Sequence, residues 1–329
     1  MIQTEKEIVL VTGGSGFVGS YCILHLLNAG YVVKTTVRSL NKQGELRQML
    51  QTAGAKNIDD LSFVEADLNN DNGWADAVSN CAYVLHVASP FPATAPKDEN
   101  ELIIPARDGA LRVLKAARDA GVKRVVLTSS FAAIGYSIDK TNHIFDEEDW
   151  TDPLSAIPAY IKSKTIAERA AWDFIKNEGG AMELTVINPV GIFGPVLGDG
   201  YSASIGIVKG IMSGDVKESS PFTFGVIDVR DVADIHIIAM KHPKAAGERF
   251  LATSDDVVSF YDVAQLIINQ RSEIASLVAR MDPTSPDLYI NLSNQKARNV
   301  LNWSPRTKEE AILASVDSLT AIEKQNSTI

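Results

Sequence analysis

Ile8-Val9-Leu10-Val11-Thr12-Gly13-Gly14-Ser15-Gly16-Phe17-Val18-Gly19 is an apolar, β-branched run that passes directly into a glycine-rich turn. Ile8 to Val11 is too short for a buried helix and reads as a strand. The residues that follow, Ser20-Tyr21-Cys22-Ile23-Leu24-His25-Leu26-Leu27-Asn28-Ala29, have helical apolar spacing and stop at Gly30, the residue type that commonly closes a helix. The glycines satisfy two overlapping spacings, Gly13-x-x-Gly16-x-x-Gly19 and Gly14-x-Gly16-x-x-Gly19. Between a strand and a helix, such glycines let the backbone turn sharply and bring the open N–H groups of the helix start against a pyrophosphate. The stretch predicts a bound dinucleotide, with Gly13, Gly16, Phe17, Val18 and Gly19 as candidate contacts.

Outward from this turn, strand-like and helix-like segments alternate, the pattern of a parallel α/β sheet. Strands are expected at residues 32–37, 61–64, 83–87, 124–129 and 184–188, and the clearest helices at 105–120 and 160–177. After Asn188 the regularity gives way to glycine- and proline-rich loops such as Gly191-Ile192-Phe193-Gly194-Pro195-Val196-Leu197-Gly198-Asp199-Gly200. Long loops that follow the C-terminal ends of sheet strands are where α/β proteins hold their ligands. The expected architecture is a Rossmann-type, doubly wound parallel sheet over residues 1–189, with 224–242 returning to it. A smaller C-terminal α/β lobe, 190–329, would bind substrate.

Composition narrows the function classes. The 329 residues carry 31 basic and 41 acidic side chains, a net charge of −10, which argues against a nucleic-acid surface. Cys22 and Cys81 have neither metal-ligand nor disulfide-framework spacing, which suits a reducing, intracellular compartment. No apolar run reaches the ~18 residues of a membrane span, and the polar start Met1-Ile2-Gln3-Thr4-Glu5-Lys6-Glu7 is no signal peptide. A cytoplasmic protein with no membrane or nucleic-acid partner is expected, as a monomer or homodimer. The five histidines are scattered, so no metal site is expected. Gly14-Ser15-Gly16 belongs to the dinucleotide turn and lacks the spacing of a hydrolase elbow.

The second strand selects the dinucleotide. Enzymes preferring NAD usually carry an acidic residue ~20 positions after the glycines. Here the sequence reads Lys34-Thr35-Thr36-Val37-Arg38-Ser39, and a guanidinium at that strand end suits a ribose 2′-phosphate. NADP(H) is therefore expected, and Lys42 lies close enough in sequence to add charge. Tyr160 and Lys164 share one helix face, where an ammonium beside a phenol is expected to lower the phenol's pKa and ready it for proton exchange near neutral pH. Tyr136 and Lys140 have the same spacing but lead into the uneven polar run 141–149, where no helix would fix the pair.

These residues together resemble the extended short-chain dehydrogenase/reductase superfamily, and within it the dihydroflavonol reductase-like carbonyl reductases, which are aldehyde and ketone reductases. The similarity rests on Thr12 to Gly19, Thr128-Ser129-Ser130, Tyr160 to Lys164 with Thr165-Ile166-Ala167-Glu168-Arg169-Ala170-Ala171-Trp172, and Asn188-Pro189 followed by Phe193-Gly194-Pro195. Asp228-Val229-Arg230-Asp231-Val232-Ala233 and Leu301-Asn302-Trp303-Ser304-Pro305 resemble its C-terminal landmarks.

The resemblance implies NADPH-dependent reduction of a small-molecule carbonyl compound by a Ser130, Tyr160 and Lys164 set. Ser130 would bond the carbonyl oxygen, Tyr160 would give the proton, and Lys164 would bind the nicotinamide ribose. Ser129 is left to strand-end hydrogen bonding. Asp67 and Leu68 would flank the adenine, Ala88 and Ser89 would underlie the ribose, and Pro189 would touch the nicotinamide side. Phe91 and Phe131 are implied substrate contacts, and Phe131 is also a candidate for core packing. Gly135 stands where plant flavonoid reductases carry an amide that reads ring hydroxyls, so a small or medium aromatic or apolar carbonyl compound is expected. Ala159-Tyr160-Ile161-Lys162-Ser163 departs from the aromatic- and cysteine-containing sequence of cinnamoyl-CoA reductases. Two alternatives stay open: a sugar-nucleotide epimerase or dehydratase that retains NAD, which Arg38 disfavours, and a non-catalytic NADP-binding sensor, which would need no Ser-Tyr-Lys set.

Overall fold

A computed structural model of the chain describes residues 6–90, 96–140, 142–198 and 202–326. In chain order its elements begin with β1 (Ile8–Thr12), α1 (Phe17–Asn28), β2 (Val32–Val37), α2 (Gln43–Thr52), β3 (Leu61–Glu65), α3 (Trp74–Val78) and β4 (Tyr83–His86). The next are α4 (Asn100–Asp119), β5 (Arg124–Thr128), β6 (Ile144–Phe145), α5 (Ala159–Glu178), β7 (Glu183–Pro189) and β8 (Gly191–Phe193). After them come α6 (Ala203–Met212), β9 (Phe224–Asp228), α7 (Val229–Lys241), β10 (Arg249–Ala252), β11 (Val257–Val258) and α8 (Phe260–Gln270). The described chain closes with β12 (Asn291–Leu292), α9 (Gln295–Leu301) and α10 (Lys308–Asn326).

Seven strands form the main sheet in the order β10-β7-β5-β4-β1-β2-β3. β1 runs parallel to β2 and β4, and the registers of β2 with β3, β4 with β5 and β5 with β7 are parallel too. The Val186 N–H donates to the Glu248 carbonyl and the Val190 N–H to the Ala252 carbonyl, so β7 and β10 advance together. Leu10, Val84, Val125, Leu184 and Val186 share a buried cluster with Trp74 of α3, Val113 and Leu114 of α4, and Phe174 of α5. Val9 and Val11, which point the opposite way, are just as inaccessible, as a strand covered on both faces requires. Strand order reverses between β1 and β4, the position at which doubly wound sheets open a crevice for their ligand.

One helix begins earlier than its sequence suggests. Proline favours a helix start, which places the expected boundary at Pro105, yet α4 already runs from Asn100 and carries Pro105 inside it. Leu102 and Ile103 are buried, and their burial holds the preceding turn in helical form. The bond that proline cannot make frees the carbonyl of Glu101, an exposed residue, where water can replace the lost donor.

By their contacts the residues divide into two compact units. One comprises Met1–Ile138, Glu147–Asn188 and Ala233–Phe250, and the other Asp139–Asp146, Pro189–Val232 and Leu251–Ile329. The segment that returns to the first unit thus begins within α7, and β9 stays in the second. The second unit holds a three-stranded sheet, β11-β9-β8, and the parallel pair β12-β6. Its two late sequence landmarks meet: the Trp303 indole donates to the Asp231 carbonyl at 3.2 Å, and the Arg306 guanidinium pairs with the Asp231 carboxylate. Phe224 packs edge-on against Phe260 and stacks on Phe193.

Candidate active site

Local backbone geometry explains the glycines of the first turn. Gly13 has φ +68°, and a Cβ there would stand 3.0 Å from the Ala88 Cβ in the loop after β4. A Cβ on Gly19 would lie 2.4 Å from the Gly13 carbonyl oxygen, so the first turn of α1 packs against the loop with no room for a side chain. The Gly13 N–H donates to Thr36 Oγ1 and the Gly16 N–H to the Gly13 carbonyl, each at 3.0 Å. No side chain caps the start of α1 and no acidic residue lies in its first turn, which leaves the positive end of the helix open to an anion.

The other expected coenzyme contacts lie around the same end of the sheet. Arg38, one residue past β2, is exposed and makes no ion pair or hydrogen bond with any described residue. Lys42 instead pairs with Glu45 at 2.9 Å, with both side chains exposed. Asp67 accepts the Asn69 N–H at 2.8 Å, and Leu68 packs on Gly109 while its carbonyl takes the Arg112 guanidinium. Ala88 and Ser89 are half-buried, and Pro189 ends β7. Phe91 lies outside the described residues. A cradle free of side chains, an uncapped helix start and an unengaged guanidinium together fit a dinucleotide phosphate.

A histidine that spacing gave no reason to single out braces this turn. Thr12 Oγ1 accepts the Ala88 N–H at 3.0 Å and pairs with His86 Nδ1 at 2.8 Å. Burial, and then the nearby Lys164 charge, hold the His86 pKa down at about 3, so the ring is neutral.

Helix α5 sets Tyr160 and Lys164 one turn apart, with Lys164 Nζ 5.9 Å from the centroid of the Tyr160 ring. The Ser130 hydroxyl accepts the Ala132 N–H at 3.1 Å and acts on the Tyr160 phenol, favouring its ionised form. The Ser129 hydroxyl is turned elsewhere and donates to Glu168 Oε2 at 2.5 Å. Tyr136 and Lys140 lie in no helix. The Tyr136 ring packs against Phe131, which is buried, at a centroid distance of 5.6 Å.

The phenol differs from its expected state. Burial raises the Tyr160 pKa above the ordinary value, the Ser130 hydroxyl opposes the rise, and the Tyr136 phenol adds to it. The expected lowering by Lys164 is absent from these causes. Lys164 is itself weakened as a cation, because burial brings its pKa down to about 8 against the opposing pull of Glu168. Among the described residues no group of three or more His, Cys, Asp or Glu side chains is placed to hold a metal ion. No helix among them is long and apolar enough to cross a membrane.

The sequence profile of the NAD dependent epimerase/dehydratase family matches residues 9–252. The chain belongs to this family. Among curated relatives, it is 32% identical over 321 residues to cinnamoyl-CoA reductase CAD2 of Medicago truncatula, covering 95% of each chain. It is 34% identical over 262 residues to dihydroflavonol 4-reductase of Zea mays, covering 77% of this chain and 72% of the relative. Among solved structures, the yeast methylglyoxal/isovaleraldehyde reductase Gre2 complexed with NADPH superimposes with a TM-score of 0.85 at 28% identity, covering 96% of this chain and 99% of Gre2. The resemblance to reductases of the epimerase/dehydratase family therefore extends along the chain. The departure from cinnamoyl-CoA reductases at Ala159 to Ser163 is local, since overall similarity to one of them is comparable with that to the dihydroflavonol reductase.

Proposed function

We propose that this chain is an NADPH-dependent carbonyl reductase that converts an aldehyde or ketone to an alcohol. The observation that carries the reading is the placement of Tyr160 and Lys164 one turn apart on α5, with Lys164 Nζ 5.9 Å from the phenol ring centroid and the Ser130 hydroxyl acting on that phenol, in the unit that also bears the glycine cradle and Arg38. The reductase names of the relatives and the NADPH of Gre2 support it. Residues 1–189, with the segment that returns to them from Ala233, serve the coenzyme, and the rest of 190–329 mainly the substrate.

In this reading Gly13, Gly16, Phe17, Val18 and Gly19 bind the pyrophosphate, Arg38 the 2′-phosphate, Asp67 and Leu68 the adenine, and Ala88, Ser89 and Pro189 the remainder of the coenzyme. NADPH supplies the hydride. Ser130 orients the carbonyl oxygen, and Tyr160, which burial keeps protonated at neutral pH, hands it a proton as negative charge develops there. Lys164 binds the nicotinamide ribose and, with a pKa near 8, still carries its charge at pH 7. Phe131 forms part of an apolar wall for the substrate.

The test is loss of NADPH absorbance with benzaldehyde, methylglyoxal and acetophenone, run in parallel with NADH. Turnover with NADPH and little with NADH is expected. Absence of turnover, together with NAD retained by the purified protein, would replace this reading with the epimerase one.

A further inference from the structure

Four donors from four parts of the chain converge on one buried carboxylate beside the proposed proton-donating set. Glu168 lies on α5 one turn beyond Lys164, and its side chain has no solvent exposure. Its Oε2 accepts from Ser129 Oγ at 2.5 Å and from Asn188 Nδ2 at 2.7 Å. Its Oε1 accepts from Arg249 Nε at 2.6 Å and from the Trp172 indole at 3.3 Å. An ionised carboxylate offers acceptors only, so this donor set calls for the charged form.

The network reaches the backbone of the candidate site. Asn188 Nδ2 gives its second hydrogen to the Ser130 carbonyl at 3.1 Å. Both neighbours of that nitrogen are acceptors, so reversing the amide would set its oxygen against two others, and the orientation is determined. Arg249 extends the network on the far side: Nη1 donates to the carbonyls of Glu147 and Asp149 at 2.8 and 3.0 Å, and the guanidinium lies 3.7 Å from the Trp150 ring centroid. Strands β5, β7 and β10 are thereby tied to α5 at one point. A buried ion pair is a weak source of net stability compared with apolar packing, whereas its place here, next to Ser130 and Lys164, gives it a geometric consequence.

We propose that Glu168 is a positioning residue, which fixes Ser130 through Asn188 and Ser129 and sets a negative charge one helical turn from Lys164. The proposal rests on the reading of Ser130, Tyr160 and Lys164 given above. Among the described residues, the titratable groups that interact with Lys164 are Tyr160 and Glu168 from its own helix and the neutral His86 from β4. Glu168 is thus the anion that offsets burial of the ammonium. Removing its charge makes the lysine lose its proton at lower pH.

Two variants separate the two effects. In the coenzyme-free chain, with lysine 13C-labelled at Cε and Lys164 assigned through its loss in Lys164→Arg, NMR follows the titration of that one amine. Glu168→Gln is expected to lower the midpoint by about one pH unit, and Asn188→Ala, which keeps every charge, to leave it in place. Asn188→Ala is expected to lower kcat for the panel aldehyde that wild type reduces fastest by about tenfold or more, because a small misplacement of a reacting group is costly. NADPH affinity, read by fluorescence, should stay within about twofold, since the groups that hold the coenzyme are untouched. An unmoved Lys164 midpoint in folded Glu168→Gln, or wild-type kcat in Asn188→Ala, overturns the proposal. If Glu168→Gln does not fold, the Asn188→Ala result decides. A wild type that reduces no carbonyl compound sinks the reductase reading alone, and the Lys164 titration then decides the role of Glu168.

Discussion

Lys164 Nζ stands 5.9 Å from the centre of the Tyr160 ring, one turn further along α5, yet burial and not the ammonium governs the phenol. A phenol that keeps its proton at neutral pH is in the donor form that reduction of a carbonyl needs. Tyr160→Phe removes that proton and little else. Its kcat should fall by about 100-fold or more, with NADPH affinity by fluorescence titration nearly unchanged. Near-normal turnover would end the proton-donor assignment.

Arg38 is exposed and engaged by no other described residue, whereas Lys42 is already paired with Glu45. Arg38→Glu should therefore weaken NADPH by about 1.5–3 kcal/mol, the worth of hydrogen bonds to a charged group, and shift preference toward NADH. Lys42→Ala should change the ratio of kcat/KM values for the two coenzymes far less. Equal effects of the two substitutions would show that Arg38 is not the principal reader of the phosphate.

A Cβ at Gly19 meets the Gly13 carbonyl oxygen at 2.4 Å, and neither partner is a flexible side chain. Gly19→Ala should cost about 1–3 kcal/mol in urea unfolding, as overpacking of a close contact does, and should abolish tight NADPH binding. Unaltered affinity would mean that the turn has slack which its geometry does not reveal.

His86 has a pKa of about 3 in the folded chain against 6.5 when unperturbed. As pH falls through 6.5 the unfolded chain takes up the proton first, so stability is lost from there down to about pH 3. Wild type should lose about 1.4 kcal/mol per pH unit more than His86→Asn between pH 6 and 4.5, measured by urea unfolding. Parallel pH profiles would place the cost of acid elsewhere.

Arg249→Ala strands the Glu168 carboxylate in a site from which solvent is excluded. Breaking a buried pair in this way should destabilise the chain by about 3–5 kcal/mol, detected by denaturant midpoint. A change of less than about 1 kcal/mol would indicate that water reaches Glu168 when the arginine is gone.

Much of this architecture is written locally in the chain. The strand at Ile8–Thr12, the glycine turn and the helix after it follow from short-range periodicity and from the steric needs of a few backbone positions. Tyr160 and Lys164 can be paired from their spacing because a helix repeats every 3.6 residues. The start of α4 was less legible, since burial of Leu102 and Ile103 overrides the signal that Pro105 gives.

The glycine cradle, the guanidinium after the second strand and the tyrosine and lysine on one helical face can be read from the chain alone, because each depends on neighbours within a turn or two. Their surroundings come from the folded chain. Ser129 is drawn to Glu168, Ser130 is left to Tyr160, and Arg249 meets a carboxylate 81 residues away. Burial is a property of the assembled sheet and helices, so the same side chains give no local sign of it. That burial keeps the proton on Tyr160, lowers Lys164 to about 8 and neutralises His86.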